Sequence, residues 1–156
     1  MEERTRVWQP HVLLEAYRKL LEDESIDELP LVITGNSMSP FLIHERDTVY
    51  LSRLRKPIQR GQILLYRRAC GQYVLHRVYR VGKDSLTMVG DGQTMLEPGI
   101  HPDQVLAAVY SAKRKGKMQT PGCFLWEFFE KVWIRMVPLR PLVRKVYTAF
   151  RKMVRG

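Results

Sequence analysis

The sequence predicts a mainly β protein, a small curled sheet or barrel with helices at both ends. Three observations predict it. Six short runs rich in β-branched and aromatic residues fall between residues 31 and 112. Glycine-containing turns separate them at the spacing of an all-β domain. Apolar residues recur at helical spacing only outside that stretch, near residues 10–23 and beyond about 121.

The elements follow in order. Pro10 suits a first helical position, and Leu13, Leu14, Tyr17, Leu20 and Leu21 make one amphipathic stripe. The acidic stretch Glu22 to Glu28 reads as a solvated linker. Leu31 to Thr34 is a short β run that stops at Gly35, and Thr48 to Leu54 alternates with Val49 and Leu51 on one face. Ile63 to Arg67 and Tyr73 to Val81 flank Cys70-Gly71-Gln72 as a hairpin. Gly82-Lys83-Asp84 turns into Ser85 to Val89, which Gly90-Asp91-Gly92 ends. Val105 to Ala112 is the last apolar run. Beyond 121, Phe124, Leu125, Phe128, Phe129, Val132 and Trp133 form one stripe. After Pro138 and Pro141, the residues Leu142, Val143, Val146, Tyr147, Phe150, Met153 and Val154 form another, with Arg144, Lys145, Arg151 and Lys152 opposite. The divisions are 1–30, 31–117 and 118–156.

At 156 residues with 45% hydrophobic side chains, the chain has the size and composition of one globular domain. The net charge of +10 is unevenly placed. Residues 113–156 hold 12 of the 26 basic and 2 of the 16 acidic side chains, so the rest of the chain is neutral. Such asymmetry suggests an anionic partner for the tail. Trp126, Trp133, Phe128, Phe129 and Phe150, set against basic residues, point to a membrane surface engaged by 121–156. The alternative is that these stripes pack on the β domain with their charges simply solvated. Nucleic acid ranks third, for want of a DNA- or RNA-reading motif. No stretch is long and apolar enough to span a bilayer, and MEERTRVWQP has no apolar run of a secretory leader, so a cytoplasmic or peripheral-membrane location is expected. Cys70 and Cys123 form no spaced pair. No metal cluster, phosphate loop or cofactor motif appears.

Two residues carry candidate chemistry. Ser37 stands in Gly35-Asn36-Ser37-Met38-Ser39-Pro40, after a strand and a glycine that lets the backbone bend. His76 lies 39 residues on, in Leu75-His76-Arg77-Val78. A serine hydroxyl attacks a carbonyl only when a base takes its proton, and histidine suits that task near neutrality. Met38 is expected to point inward and anchor the turn. Taken singly, Gly-Asn-Ser also fits an ordinary turn, and a histidine between Val74 and Val78 also fits a satisfied core residue. His11, His44 and His101 stand alone.

The order of several short boxes adds to this reading. After the serine box come Arg46-Asp47-Thr48-Val49, Gly61-Gln62-Ile63-Leu64-Leu65-Tyr66, His76-Arg77-Val78, Gly90-Asp91-Gly92 and a closing run from Val105 to Lys117. Residues 31–116 thus resemble the serine peptidases that unite type I signal peptidases with LexA-type self-cleaving repressors. The resemblance implies a mostly β fold, Ser37 as nucleophile and His76 in the base position. It points to the branch that uses histidine rather than lysine, found in endoplasmic-reticulum, archaeal and sporulation-type signal peptidases. That branch places an acid after the Gly-Asp turn. Glu97 matches the position, where aspartate is usual, and Asp91 and Asp103 are alternatives. Gly35 stands where signal peptidases often carry an oxyanion-binding serine, leaving backbone donors around Gly35 and Asn36, with Thr34, for that task. Gln62 replaces the usual aspartate. The resemblance implies a peptide or protein substrate and no cofactor. The alternative is a weakly active or inactive peptide-binding module of the same fold, attached peripherally to membrane. A self-cleaving regulator is a third class, opposed by the lack of an Ala-Gly pair before Ser37 and of room for a helix-turn-helix domain.

Overall fold

In the computed structural model, which describes residues 10–23, 26–55 and 57–155, eight antiparallel strands form one open sheet. Residues 1–9, the linker positions 24 and 25, and the side chains of His11 and Leu13 lie outside the described residues. Helix α1 (Pro10–Glu22) leads to β1 (Leu29–Val32), β2 (Thr48–Ser52), β3 (Ile63–Arg67), β4 (Tyr73–Val81), β5 (Leu86–Val89), β6 (Glu97–Ile100), β7 (Val105–Arg114) and β8 (Lys117–Gln119). The spatial order is β1-β2-β7-β3-β4-β5-β6, with β8 on β7.

The six expected runs are strands, two of them with the bounds read from the sequence. The other two strands, β6 and β8, were not expected. The first contains Pro98 and Gly99, which suit only an edge, and it occupies the edge beside β5. The second is three residues long and exists because Lys115 and Gly116, both at positive φ, reverse the chain onto β7. The sheet does not close into a barrel: β1 and β6 stay unpaired on their outer sides among the described residues.

One face of the sheet buries Leu14 and Leu21 of α1, Ile33, Met38, Phe41, Val49, Leu51, Ile63 and Leu65. The C-terminal segment closes this core. It runs as α2 (Phe124–Glu127), a wide turn over Phe128–Val132, a tight helix over Trp133–Leu139 containing Pro138, and α3 (Arg140–Arg155). Trp126, Phe129 and Trp133 are buried in the core, with Phe129 and Trp126 packed on Phe41. The first aromatic stripe of the tail is therefore largely core, which corrects the expectation that Trp126, Phe129 and Trp133 meet a membrane surface. Only Phe124 and Val132 of that stripe are exposed.

The second face packs Leu64, Tyr66, Val78, Leu86, Met88, Ile100 and Ala108. Strands β3 and β6 are three positions apart, about 14 Å in a flat sheet. Yet the Tyr66 hydroxyl of β3 reaches the Glu97 carboxylate of β6 at 2.8 Å. The sheet curls around this face, and His76 lies in the hollow.

Candidate active site

His76 is 3% exposed, opposite Leu64 in the β3–β4 register. Tyr66 sits two residues along on the same face, a diagonal pair within aromatic reach. The two rings lie 6.2 Å apart, and the Tyr66 hydroxyl is 3.2 Å from His76 Nδ1. A phenol has one proton to give. Glu97, held below the usual carboxylate range chiefly by the Arg68 guanidinium, takes it. Tyr66 Oη therefore accepts from His76, which places the ring proton on Nδ1 and the free lone pair on Nε2. Arg68 completes the chain with two bonds to Glu97, Nε to Oε1 at 2.7 Å and Nη2 to Oε2 at 2.8 Å. Glu97 Oε2 stands 3.9 Å from His76 Nδ1, so it acts on the ring through Tyr66. Burial pushes His76 down to about 4 and the Tyr66 phenol far up. The imidazole is neutral at pH 7.

The next residue of β4 points to the other face. Arg77 and Asp91 are both buried and joined by two bonds of 2.9 Å. Arg77 also donates to Gly61 O at 2.7 Å and lies over the Phe41 ring. Asp91 is thus fully engaged and is not the acid beside His76. Asp103 is an exposed side chain, and its backbone N–H donates to His101 Nδ1 at 3.3 Å. Of the three acids considered, Glu97 is the one joined to His76.

Asp91 fixes the turn that seats Ser37. Gly92 N–H donates to Ser37 O at 2.9 Å, and Trp133 Nε1 donates to Asp91 O at 2.8 Å. A Cβ on Gly90 would stand 2.4 Å from Ser37 O, so this approach requires glycine. Met38 is buried beside Phe41 in the core, as its place after the serine predicts. The half-buried Ser37 opens a turn closed by Ser39 N–H to Asn36 O at 3.1 Å and Leu42 N–H to Met38 O at 2.9 Å. Among the described residues no hydrogen bond joins Ser37 to His76.

The oxyanion candidates separate. Thr34, Gly35 and Asn36 are exposed, and Gly35 adopts φ +80°. Its N–H is occupied by His44 Nδ1 at 2.9 Å. His44 therefore orders the serine loop rather than standing alone. The amides of Ser37 and Met38 donate to no acceptor among the described residues, which leaves them as the backbone donors beside the serine.

Sequence reading missed Tyr66, Arg68 and His44. The β3–β4 register alone places Tyr66 on the face of His76, whereas Arg68 and His44 depend on the fold. Among the described residues no group of acids, histidines and cysteines could hold a metal. No protein-family model, curated protein or solved structure matches the chain.

Proposed function

We propose that the chain is a serine endopeptidase of the kind its motifs resemble, the signal peptidase and LexA type, acting on an extended peptide. The observation that carries this reading is the joint seat of three distant boxes. Arg77, next to His76, is locked to Asp91, and the glycines flanking Asp91 receive the Ser37 carbonyl. In this scheme Ser37 Oγ attacks the peptide carbonyl as His76 Nε2 takes its proton. The developing oxyanion meets the free amides of Ser37 and Met38. Collapse breaks the C–N bond, and His76 returns the proton to the leaving amine. Water, deprotonated by the same nitrogen, then releases the acyl group. Glu97 and Tyr66 are positioning residues that hold the tautomer and balance the imidazolium.

A fluorophosphonate probe tests the reading, because it phosphonylates a hydroxyl that a neighbouring base has activated and leaves an ordinary serine unlabelled. Labelling that maps to Ser37, vanishes in Ser37→Ala and drops at least about 10²-fold in His76→Gln is expected. An unlabelled Ser37, or equal labelling in His76→Gln, overturns it. The missing Ser37–His76 hydrogen bond favours a second reading, a binding module that holds peptides without cleaving them. Peptide binding by the wild type and Ser37→Ala alike, with no acylation, selects that one.

A further inference from the structure

Helix α3 is fastened to the body at its root and bare beyond it. Buried Arg140 donates to Gly90 O at 2.8 Å, Gln93 O at 2.7 Å and Trp133 O at 3.1 Å. Val143, one turn on, packs against the core. The apolar residues around and beyond it have no cover: Leu142, Val146, Tyr147, Phe150, Met153 and Val154 are 57–74% exposed. Their spacing puts them on one side of the helix. Arg144, Lys145, Arg151, Lys152 and Arg155 take the other side, and the helix has no acidic residue.

An occupant must satisfy both sides. A second copy of α3 would cover the stripe but leave the basic side unanswered, since the helix has no acid to offer it. A nucleic acid would meet the charges and leave the stripe wet. An anionic bilayer meets both, with acyl chains under the stripe and lipid phosphates beside the basic rim. No described helix is long and apolar enough to cross a membrane. We infer that α3 lies in the headgroup layer of an anionic membrane and holds the β domain against its surface. The inference stands on α3 and is independent of the peptidase reading.

Co-sedimentation of the full chain with phosphatidylcholine vesicles, with and without phosphatidylglycerol, tests it. Binding should need the anionic lipid and weaken as salt rises. The variant Val146→Asp/Phe150→Asp should lose binding at least about 100-fold, through the lost apolar contact. The variant Arg144→Gln/Lys145→Gln/Arg151→Gln/Lys152→Gln should lose about 100-fold, at roughly fivefold per charge with some shortfall. Every substituted residue is exposed, so the thermal transition should stay in place. Equal binding to uncharged vesicles, unchanged binding in either variant, or a lipid-indifferent dimer abolished by Phe150→Asp overturns the inference.

Discussion

Gly90→Ala is the sharpest test of how the serine loop is seated. The new methyl would lie 2.4 Å from Ser37 O and 2.9 Å from Gln93 Oε1, where ordinary contact begins at 3.4 Å. The Gln93 side chain can swing away. The Ser37 carbonyl cannot do so cheaply, because Gly92 N–H holds it at 2.9 Å and buried Met38 follows. It must recede by about 1 Å, the gap between present and ordinary contact. Overpacking of this kind costs about 1–3 kcal/mol, a fall in the thermal midpoint of about 2–10 °C for a chain of this size. If Ser37 is a nucleophile, a shift of about 1 Å lowers its rate of fluorophosphonate labelling about 10²-fold. Gly116→Ala is the control. Gly116 has φ +77° with nothing within 4 Å of the added carbon, at the β7–β8 turn. It should cost about 1–2 kcal/mol of backbone strain and leave the labelling rate of Ser37 unchanged. A Gly90→Ala protein with an unaltered midpoint and labelling rate would refute the reasoning, as would equal slowing in Gly116→Ala.

Asp91→Asn strands buried Arg77 and should cost about 3–5 kcal/mol in urea unfolding, while Arg77→Met/Asp91→Leu recovers much of that loss; equal losses would count against the buried pair. Tyr66→Phe removes the acceptor for His76 Nδ1–H, so nitrogen NMR of the ring should show the proton spreading to Nε2, with stability down by about 1–3 kcal/mol; an unchanged tautomer would remove Tyr66 from its role. His76 titrates at about 4 folded, against 6.5 when solvated, so the unfolded chain binds more protons between those values. Stability is then fully present above about pH 6.5 and falls towards pH 4, by about 3 kcal/mol from this group. Lowered Glu97 adds a loss of the same sign at lower pH. In His76→Gln the decline between pH 6.5 and 4 should shrink, and an identical pH profile would show that the imidazole is not the titrating group.

Much of the fold was legible because period and turn chemistry are local. The alternation in Tyr73–Val81 placed His76 on an apolar face, and its burial follows from that. The serine box identified Met38 as an inward anchor. Strand β6 escaped notice because Pro98 and Gly99 erase a strand pattern, and only the edge position beside β5 makes them tolerable. The chemistry around His76 was half legible. Glu97 came from motif order, but its link to the ring runs through Tyr66, and that link exists only because the sheet curls until β3 meets β6.

The two apolar stripes of the tail mark the boundary most clearly. By sequence each is an amphipathic pattern with aromatic residues, and the pattern determines that a helix has a face to bury. It does not determine what covers that face. Trp126, Phe129 and Trp133 close over Phe41 and the sheet, while Tyr147 and Phe150 lie past the rim where the body ends. Periodicity is set by neighbours three and four residues away. Whether a face finds a partner is set by residues some 90 positions distant, such as Phe41, and only the tertiary structure brings those together.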